Sequence, residues 1–118
     1  MHRDIKPENI LIDVKGKVII GDFGFAVEEL LEQDLNQLKK SQNLISKNCN
    51  VGTEEYNAPE LFEPSKGEYD GAKADIFSLA VVLFMMLTKC PPFRSAQPKD
   101  PYFRRLSAHD KSNYWKIF

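Results

Sequence analysis

The first 22 residues contain four side chains whose chemistry suits phosphoryl transfer. Asp4 and Lys6 stand two residues apart, and Asn9 and Asp22 supply oxygen ligands of the kind that Mg²⁺ prefers. Phosphoryl transfer needs an acceptor hydroxyl placed in line and neutralisation of the charge on the moving group. A carboxylate can orient that hydroxyl and accept its proton, while a lysine on the same face of the loop offsets phosphate charge. Taken singly, each of these residues is more often a solvated polar group than a catalyst.

A short β-hairpin is predicted between the two candidate metal ligands. Residues 10–12 and 17–20 are β-branched runs, and Gly16 stands between them where the turn is expected. A hairpin of this kind returns the chain towards its starting point. It would therefore bring the oxygen atoms of Asn9 and Asp22 to one metal site.

The remaining elements are predicted to be mainly helical. Residues 72–87 give the strongest helix prediction, and we expect this helix to be deeply buried because it is apolar almost all round after Asp75. A second helix is predicted over residues 28–40, where leucines recur at helical spacing. Residues 41–57 have no such period and are predicted to form a loop, and a short helix is predicted to begin near Pro59.

Composition and charge narrow the class of protein. Sixteen basic and seventeen acidic residues give a net charge of −1, which indicates no nucleic-acid partner. The longest apolar run, residues 76–87, is shorter than the roughly 20 residues that span a bilayer, so no membrane association is expected. Cys49 and Cys90 lack the spacing of a metal or disulfide site, and no signal peptide is recognised. A cytoplasmic or nuclear protein is therefore expected, and its oligomeric state stays open.

Five motifs resemble those of the eukaryotic protein kinases, in the family's order and at plausible spacing. They are HRDIKPEN at residues 2–9, DFG at 22–24, GTEEYNAPE at 52–60, DIFSLA at 75–80 and PPF at 91–93. The resemblance implies an α+β fold that is mainly α: part of the kinase large lobe, with one small hairpin and the helix at 72–87 buried at its centre. The stretch Lys6-Pro7-Glu8 is similar to the serine/threonine-specific branch, and together with PPF slightly favours the calcium/calmodulin-dependent group.

The resemblance also implies an activity and a set of site residues. The activity is transfer of phosphate from ATP, with Mg²⁺, to Ser or Thr hydroxyls of a protein substrate. Catalytic roles are implied for Asp4, Lys6 and Thr53, where the threonine bonds the other two. Asn9 and Asp22 match the metal ligands, and Leu11, with Val82 and Met86, matches the floor beneath adenine.

Other matches have supporting roles. His2 and Phe23 resemble members of the stacked hydrophobic column that links the kinase lobes, and Asp75 resembles the acid that holds the catalytic-loop backbone. Glu60 resembles an acid that pairs with a late arginine, for which Arg104 and Arg105 come too early in the chain. Gly24 completes DFG, and Glu8 resembles an acid that reads arginine in substrates, although Met85 stands where its usual acidic helper is found.

The activation segment, which by the resemblance runs from Asp22 to Glu60, departs from the family pattern. Asn48, Cys49 and Asn50 stand just before Gly52, where the family often carries a phosphorylated Ser or Thr. Arg3 therefore resembles a phosphate-reading arginine without an obvious phosphate. Ser46 and Ser41 are the nearest hydroxyls and are the candidate regulatory phosphorylation sites.

The larger departure is in what the chain does not contain. No GxGxxG loop, no VAIK-like lysine and no partner glutamate precede His2, so residues 1–118 are expected to be a partial kinase domain that lacks the small lobe and the last helices. One hypothesis is an incompletely represented serine/threonine kinase. The alternatives are a non-catalytic remnant or decoy that binds kinase partners through residues 91–118, and an unrelated structural domain. Residues 1–118 alone are expected to be unstable and inactive.

Overall fold

The computed structural model describes residues 1–27, 51–63, 69–109 and 112–117. The predicted helix at 28–40 and the candidate phosphorylation sites Ser41 and Ser46 lie outside these residues. The described elements, in chain order, are a 3₁₀ turn at Pro7–Asn9, strands β1 (Ile10–Ile12) and β2 (Val18–Ile20), 3₁₀ turns at Glu54–Tyr56 and Pro59–Phe62, and helices α1 (Gly71–Thr88), α2 (Pro101–Ser107) and α3 (Ser112–Trp115). The expected mainly helical α+β architecture is confirmed.

The predicted hairpin is confirmed. Strands β1 and β2 pair antiparallel with Leu11 opposite Ile19. Gly16 has a φ of +80°, a left-handed conformation that suits glycine at this turn. The Asp13 carboxylate accepts N–H bonds from Lys15 at 2.8 Å and Lys17 at 2.9 Å, which closes the turn. Local sequence is therefore sufficient to reverse the chain here.

The predicted central helix is also confirmed, as α1, and its ends are capped. Asp70 precedes it and accepts an N–H bond from Lys73 at 3.0 Å, as a helix N-cap does. Lys89 ends it in the left-handed conformation, with a φ of 65°, and its N–H bonds the carbonyl of Met85. The helix spans 18 residues.

The expectation that α1 is deeply buried is wrong for the residues described. One face is buried, through Ala74, Ser78, Val81 and Val82, whereas large apolar side chains on the rest of the helix are exposed: Ile76, Leu79, Leu83, Met86 and Leu87. Apolar composition shows that every face of a helix could be buried. The segments packed against the helix determine which faces are buried. By length and composition alone, α1 is also the one helix among the described residues that could cross a membrane. Its buried face gives it the packing of a core helix.

The core forms where α1 meets the segments on either side of it in the sequence. Val81 and Val82 pack with Tyr56, Phe93 and Ala96, all at most 9% exposed. Phe93 meets Phe103 of α2 edge to face, with ring centroids 5.3 Å apart. This core holds the 3₁₀ turn at Glu54–Tyr56 against the helix.

Tyr114 anchors α3 to the segment that follows α1. Its side chain is fully buried, and its hydroxyl donates to the carbonyl of Pro92 at 3.2 Å. Burial raises the pKa of Tyr114 to about 12. The tyrosine therefore stays neutral at physiological pH and can keep this hydrogen bond.

Ser78 links α1 to the 3₁₀ turn at Glu54–Tyr56, and its removal should loosen that turn. Its buried hydroxyl lies 2.8 Å from the Tyr56 carbonyl, to which it donates. Ser78→Ala leaves this carbonyl without the serine donor. We expect the free energy of local unfolding around Tyr56 to fall by about 1–3 kcal/mol. Hydrogen exchange measured by mass spectrometry on the full-length gene product should show faster exchange around Tyr56. The control is Ser107→Ala at an exposed position, where an equal acceleration would contradict the expectation.

Candidate active site

The loop that carries Asp4 is held by a carboxylate from the start of α1. Asp75 accepts the backbone N–H of His2 at 2.6 Å and that of Arg3 at 2.8 Å. Arg3 has a φ of 69°, a left-handed conformation that a non-glycine residue adopts at a cost of about 1–3 kcal/mol. Hydrogen bonds to a carboxylate are among the stronger ones, and two of them can offset this strain. The structure thus places Asp75 where the kinase resemblance predicts it.

His2 fixes the other side of the loop. Its Nδ1 accepts the Asp4 backbone N–H at 3.3 Å, so the ring proton lies on Nε2, which donates to the Gly21 carbonyl at 2.9 Å. The ring of His2 meets Phe23 edge to face, with centroids 4.9 Å apart. Buried His2 therefore ties the loop to the end of the hairpin, and the structure brings together the two residues predicted to stack.

Asp4, Lys6 and Thr53 form one connected polar cluster, which we call the Asp4 cluster. The Lys6 ammonium lies 3.0 Å from Asp4 Oδ2 and donates to Thr53 Oγ1 at 2.9 Å. The Thr53 hydroxyl in turn donates to Asp4 Oδ1 at 2.8 Å. Thr53 comes from a segment 49 residues away in the sequence. The fold thus brings together the three predicted catalytic residues.

The protonation states in the Asp4 cluster follow from these contacts. Burial raises the pKa of Asp4, but hydrogen bonds from Lys6, Thr53 and Asn9 and the charge of Lys6 outweigh it, so the pKa lies below the ordinary 3.8. The hydrogen bond to Asp4 raises the pKa of Lys6 above the ordinary 10.5, and the charges of Glu8 and Asp22 add to this. Asp4 is therefore a carboxylate and Lys6 an ammonium at neutral pH.

The contribution of the Asp4 cluster to stability changes in a defined direction at low pH and at high pH. The lowered pKa of Asp4 means that its stabilising effect is present above pH 3.8 and is lost as the pH falls through the lower folded-state value. The raised pKa of Lys6 means that its effect is present below pH 10.5 and is lost as the pH rises through the higher folded-state value. The cluster is stable between these limits.

Removing the Thr53 hydroxyl should therefore raise the pKa of Asp4. Thr53→Ala deletes one of the hydrogen bonds that favour the carboxylate. Carbon-13 NMR titration of aspartate carboxyls in the full-length gene product should show the Asp4 midpoint move upward, towards 3.8. Thr88→Ala, at the end of α1, serves as the matched control. An Asp4 midpoint that Thr53→Ala leaves unchanged would contradict the assignment of this bond.

Asn9 and Asp22 flank the open end of the hairpin, Asn9 directly before β1 and Asp22 two residues after β2. The Asn9 amide donates to the Asp4 carbonyl at 2.8 Å and to Asp4 Oδ2 at 3.2 Å, which leaves its own Oδ1 as an acceptor. The Asn9 backbone carbonyl accepts the Gly21 N–H at 2.8 Å, and this bond places Asp22 beside it. Asp22 has a φ of 57°, and its Oδ1 accepts the Gly24 N–H at 3.2 Å. That both side chains bind one metal ion stays a prediction.

The donor set at this end of the hairpin fits Mg²⁺. One carboxylate and one amide oxygen are hard ligands, and Mg²⁺ is usually held by one or two such groups together with water and phosphate oxygens. No group of three or more His, Cys, Asp or Glu side chains lies close enough to hold a metal within the described ranges. The site therefore suits a metal ion that is also bound by phosphate oxygens. It does not resemble a site in which protein side chains supply every ligand.

The structure gives less support to the predicted roles of the remaining site residues. The Arg3 side chain donates from Nε to the Phe25 carbonyl at 2.6 Å, while Glu60 is half-buried. Val82 lies in the core, whereas Leu11 and Met86 are 54% and 66% exposed. A shared adenine floor formed by these three side chains therefore stays a prediction.

Gly52 was not predicted to matter individually, but the geometry requires it. Its φ is +88°, and a Cβ atom there would lie 2.4 Å from the Arg3 carbonyl oxygen. A glycine therefore lets the segment before Thr53 pass directly against the catalytic loop. The sequence contains a signal for this, a glycine immediately before a hydroxyl residue, but only the fold shows the close approach.

Comparison with known proteins agrees with the geometry. A family model for the protein kinase domain matches residues 1–115. The chain belongs to the protein kinase family.

Relatives in this family are named as CBL-interacting kinases, and several of those names specify serine/threonine-protein kinase. CBL-interacting serine/threonine-protein kinase 5 of Arabidopsis thaliana is 43% identical over 115 residues, which are 97% of this chain and 23% of that kinase. CBL-interacting protein kinase 5 of Oryza sativa subsp. japonica is 38% identical over 109 residues, 92% of this chain and 21% of that kinase. The chain thus spans less than a quarter of the length of these relatives. Protein kinases generally use ATP and Mg²⁺.

Proposed function

We propose that this chain supplies the catalytic loop, the metal-binding segment and the end of the activation segment of a serine/threonine protein kinase. The observation that carries the proposal is the Asp4 cluster, in which one carboxylate is bonded by an ammonium and by a hydroxyl from a distant segment. The geometry supports phosphoryl transfer because it combines a proton acceptor with a cation at one point.

Each residue of the cluster has a distinct proposed role. Asp4 orients the substrate Ser or Thr hydroxyl and accepts its proton, for which its lowered pKa keeps it ionised. Lys6 supplies a positive charge beside the acceptor that offsets negative charge on the moving phosphoryl group. Thr53 fixes the side chains of both residues, and this contact also locates the end of the activation segment against the catalytic loop.

We propose that Asn9 and Asp22 hold Mg²⁺ and, through it, the phosphates of ATP. When bound, Mg²⁺-ATP supplies the phosphoryl group and charge neutralisation by the metal. Asn9 Oδ1 and the Asp22 carboxylate are the ligands that support this proposal, since the remaining polar atoms of Asn9 are engaged by Asp4, Lys6 and Gly21. The negative charge of the Asp22 carboxylate also helps to raise the pKa of Lys6, which favours the charged ammonium.

The acceptor specificity tests the proposed function. The full-length gene product is incubated with Mg²⁺-ATP and three peptide sets that are identical except for a Ser, Thr or Tyr acceptor. Mass spectrometry should find phosphate on Ser and Thr, and chelation of the metal should abolish it. Transfer to Tyr alone would contradict the serine/threonine assignment. No transfer to any peptide would favour the non-catalytic binding module instead.

A further inference from the structure

The last turn of α2 presents a serine directly after two arginines and a leucine. The sequence there is Arg104-Arg105-Leu106-Ser107, and Ser107 is the last residue of the helix. Both arginines and Ser107 are exposed, whereas Leu106 is partly buried against the core. Two guanidinium groups therefore stand three and two residues before an accessible hydroxyl.

The contacts within the chain do not account for this pair of arginines. Among residues 1–27, 51–63, 69–109 and 112–117, no carboxylate forms a salt bridge with Arg104 or Arg105. Cations in the last turn of a helix interact favourably with the helix dipole, but at an exposed position this effect is small. Both guanidinium groups are thus available to another protein.

Exposed guanidinium groups that precede a hydroxyl suit recognition by an arginine-directed serine kinase. Carboxylates in the cleft of such an enzyme can bind a guanidinium group through two parallel hydrogen bonds, which a lysine ammonium does not reproduce. Charge patterns of this kind distinguish the substrates of one kinase from those of another. Arg104 and Arg105 can therefore select Ser107 as an acceptor.

Ser107 can enter the active site of another enzyme through a local opening of α2. The helix has only seven residues, and short helices open readily at their ends. Ala108, the next residue, already has an extended backbone, with a φ of −65° and a ψ of 155°. If residues 104–107 extend in the same way, the core loses the contact made by Leu106.

We propose that Ser107 is a phosphorylation site for an arginine-directed serine kinase, which recognises it through Arg104 and Arg105. The Ser107 oxygen forms a bond to the γ-phosphorus of the Mg²⁺-ATP held by that kinase. The bond from this phosphorus to the bridging oxygen breaks, and ADP leaves with the electron pair. The hydroxyl proton passes to the catalytic carboxylate of the modifying kinase. The site does not require this chain to be active itself.

The phosphate should open the end of α2. The Ser107 hydroxyl donates to the Arg104 carbonyl at 3.2 Å. Phosphorylation removes this donor and adds about −1.5 to −2 charges at a helix C-terminus, where the carbonyl groups are already partly negative. The modification therefore weakens the last turn, and with it the contact between Leu106 and the core.

The test is phosphorylation of the full-length gene product by an added kinase. The gene product carries Asp4→Asn, so that its own proposed activity adds no phosphate. It is incubated with Mg²⁺-ATP and the purified catalytic subunit of the cyclic-AMP-dependent protein kinase, an arginine-directed enzyme. Peptide mapping by mass spectrometry should locate phosphate on Ser107. Phosphate found only on other residues, or on none, overturns the proposal.

Two double variants test recognition through the arginines. Arg104→Ala with Arg105→Ala should slow phosphorylation of Ser107 by roughly 10–100-fold, the worth of a hydrogen bond to a charged group. Lys15→Ala with Lys17→Ala removes the same charge from exposed positions in the hairpin turn and should leave the rate unchanged. An equal rate in both double variants overturns the role of the arginines.

Hydrogen exchange measured before and after the kinase treatment tests the structural effect. The amides of residues 104–107 should exchange about tenfold faster or more once Ser107 is phosphorylated, because the last turn of α2 opens. In Ser107→Ala, the same treatment should change nothing. Unchanged protection of these amides in the phosphorylated protein overturns the predicted opening.

Discussion

Asp4→Asn should reduce the rate of phosphoryl transfer by about 10²–10⁴-fold, the range expected for losing a general base. The amide keeps the size of the carboxylate but cannot accept the proton of the substrate hydroxyl. It also loses the negative charge that Lys6 faces at 3.0 Å. The effect should fall on kcat, with the KM for ATP changed by no more than about threefold, because the proposed Mg²⁺ ligands, Asn9 and Asp22, are retained.

The matched control for this variant is Asp70→Asn. It makes the same chemical change at an exposed helix N-cap, where asparagine also caps well. Steady-state kinetics of peptide phosphorylation on the full-length gene product measure both variants. A rate within a few-fold of wild type for Asp4→Asn, or an equal loss for Asp70→Asn, would contradict the role given to Asp4.

Residues 1–118, produced alone, should not unfold cooperatively. Several large apolar side chains of α1 are exposed, with Ile76 at 68% and Leu87 at 76%. Each forgoes part of the roughly 1.5–3 kcal/mol that full burial of such a side chain contributes. Two to five such losses rival the whole stability of a domain, about 5–15 kcal/mol. We expect helical far-UV circular dichroism with a weak near-UV signal, as in a molten globule.

The exposed face of α1 can be tested as the cause. Replacing Leu79 and Leu83 with glutamate should lower the binding of an apolar dye by residues 1–118 without removing the helical signal. Val81→Glu, on the buried face, is the contrasting variant and should disrupt the helix packing. A sharp thermal transition with an intact near-UV spectrum from residues 1–118 would show that the described contacts suffice for folding.

The parts of the structure that depend on local sequence could be predicted. The hairpin follows from β-branched runs around Gly16, and α1 follows from an apolar run between Asp70 and Lys89. The Asp4 cluster followed from the motif resemblance, because the threonine of the matching GTEEYNAPE motif bonds the catalytic Asp and Lys in serine/threonine kinases. Local preference and family pattern agree at each of these places, and the structure agrees with them.

Features that depend on distant contacts could not be derived from the residues alone. Arg3 adopts a positive φ angle that its residue type does not favour, and the bonds that hold it come from Asp75, 72 residues away. The close approach of Gly52 to the Arg3 carbonyl is a property of the fold. The burial of α1 on one face only depends on which segments surround it, which helix periodicity does not specify.

The central claim is that Asp4 and Thr53 act as one unit in phosphoryl transfer, and a double-mutant cycle tests it most directly. Transfer rates are measured on the full-length gene product carrying Thr53→Ser, Thr53→Ala, Asp4→Asn and the double change Thr53→Ala with Asp4→Asn. Thr53→Ser keeps the hydroxyl and should stay within about threefold of wild type. Thr53→Ala should lose roughly 10–100-fold, the worth of a hydrogen bond to a charged group.

The decisive value is the rate of the double variant. If the Thr53 hydroxyl acts through the Asp4 carboxylate, removing it should cost almost nothing once Asp4 is replaced, so the double variant should be no slower than Asp4→Asn alone. If instead the two losses multiply, Thr53 and Asp4 contribute independently. That result would contradict the unit formed by the 2.8 Å hydrogen bond between them.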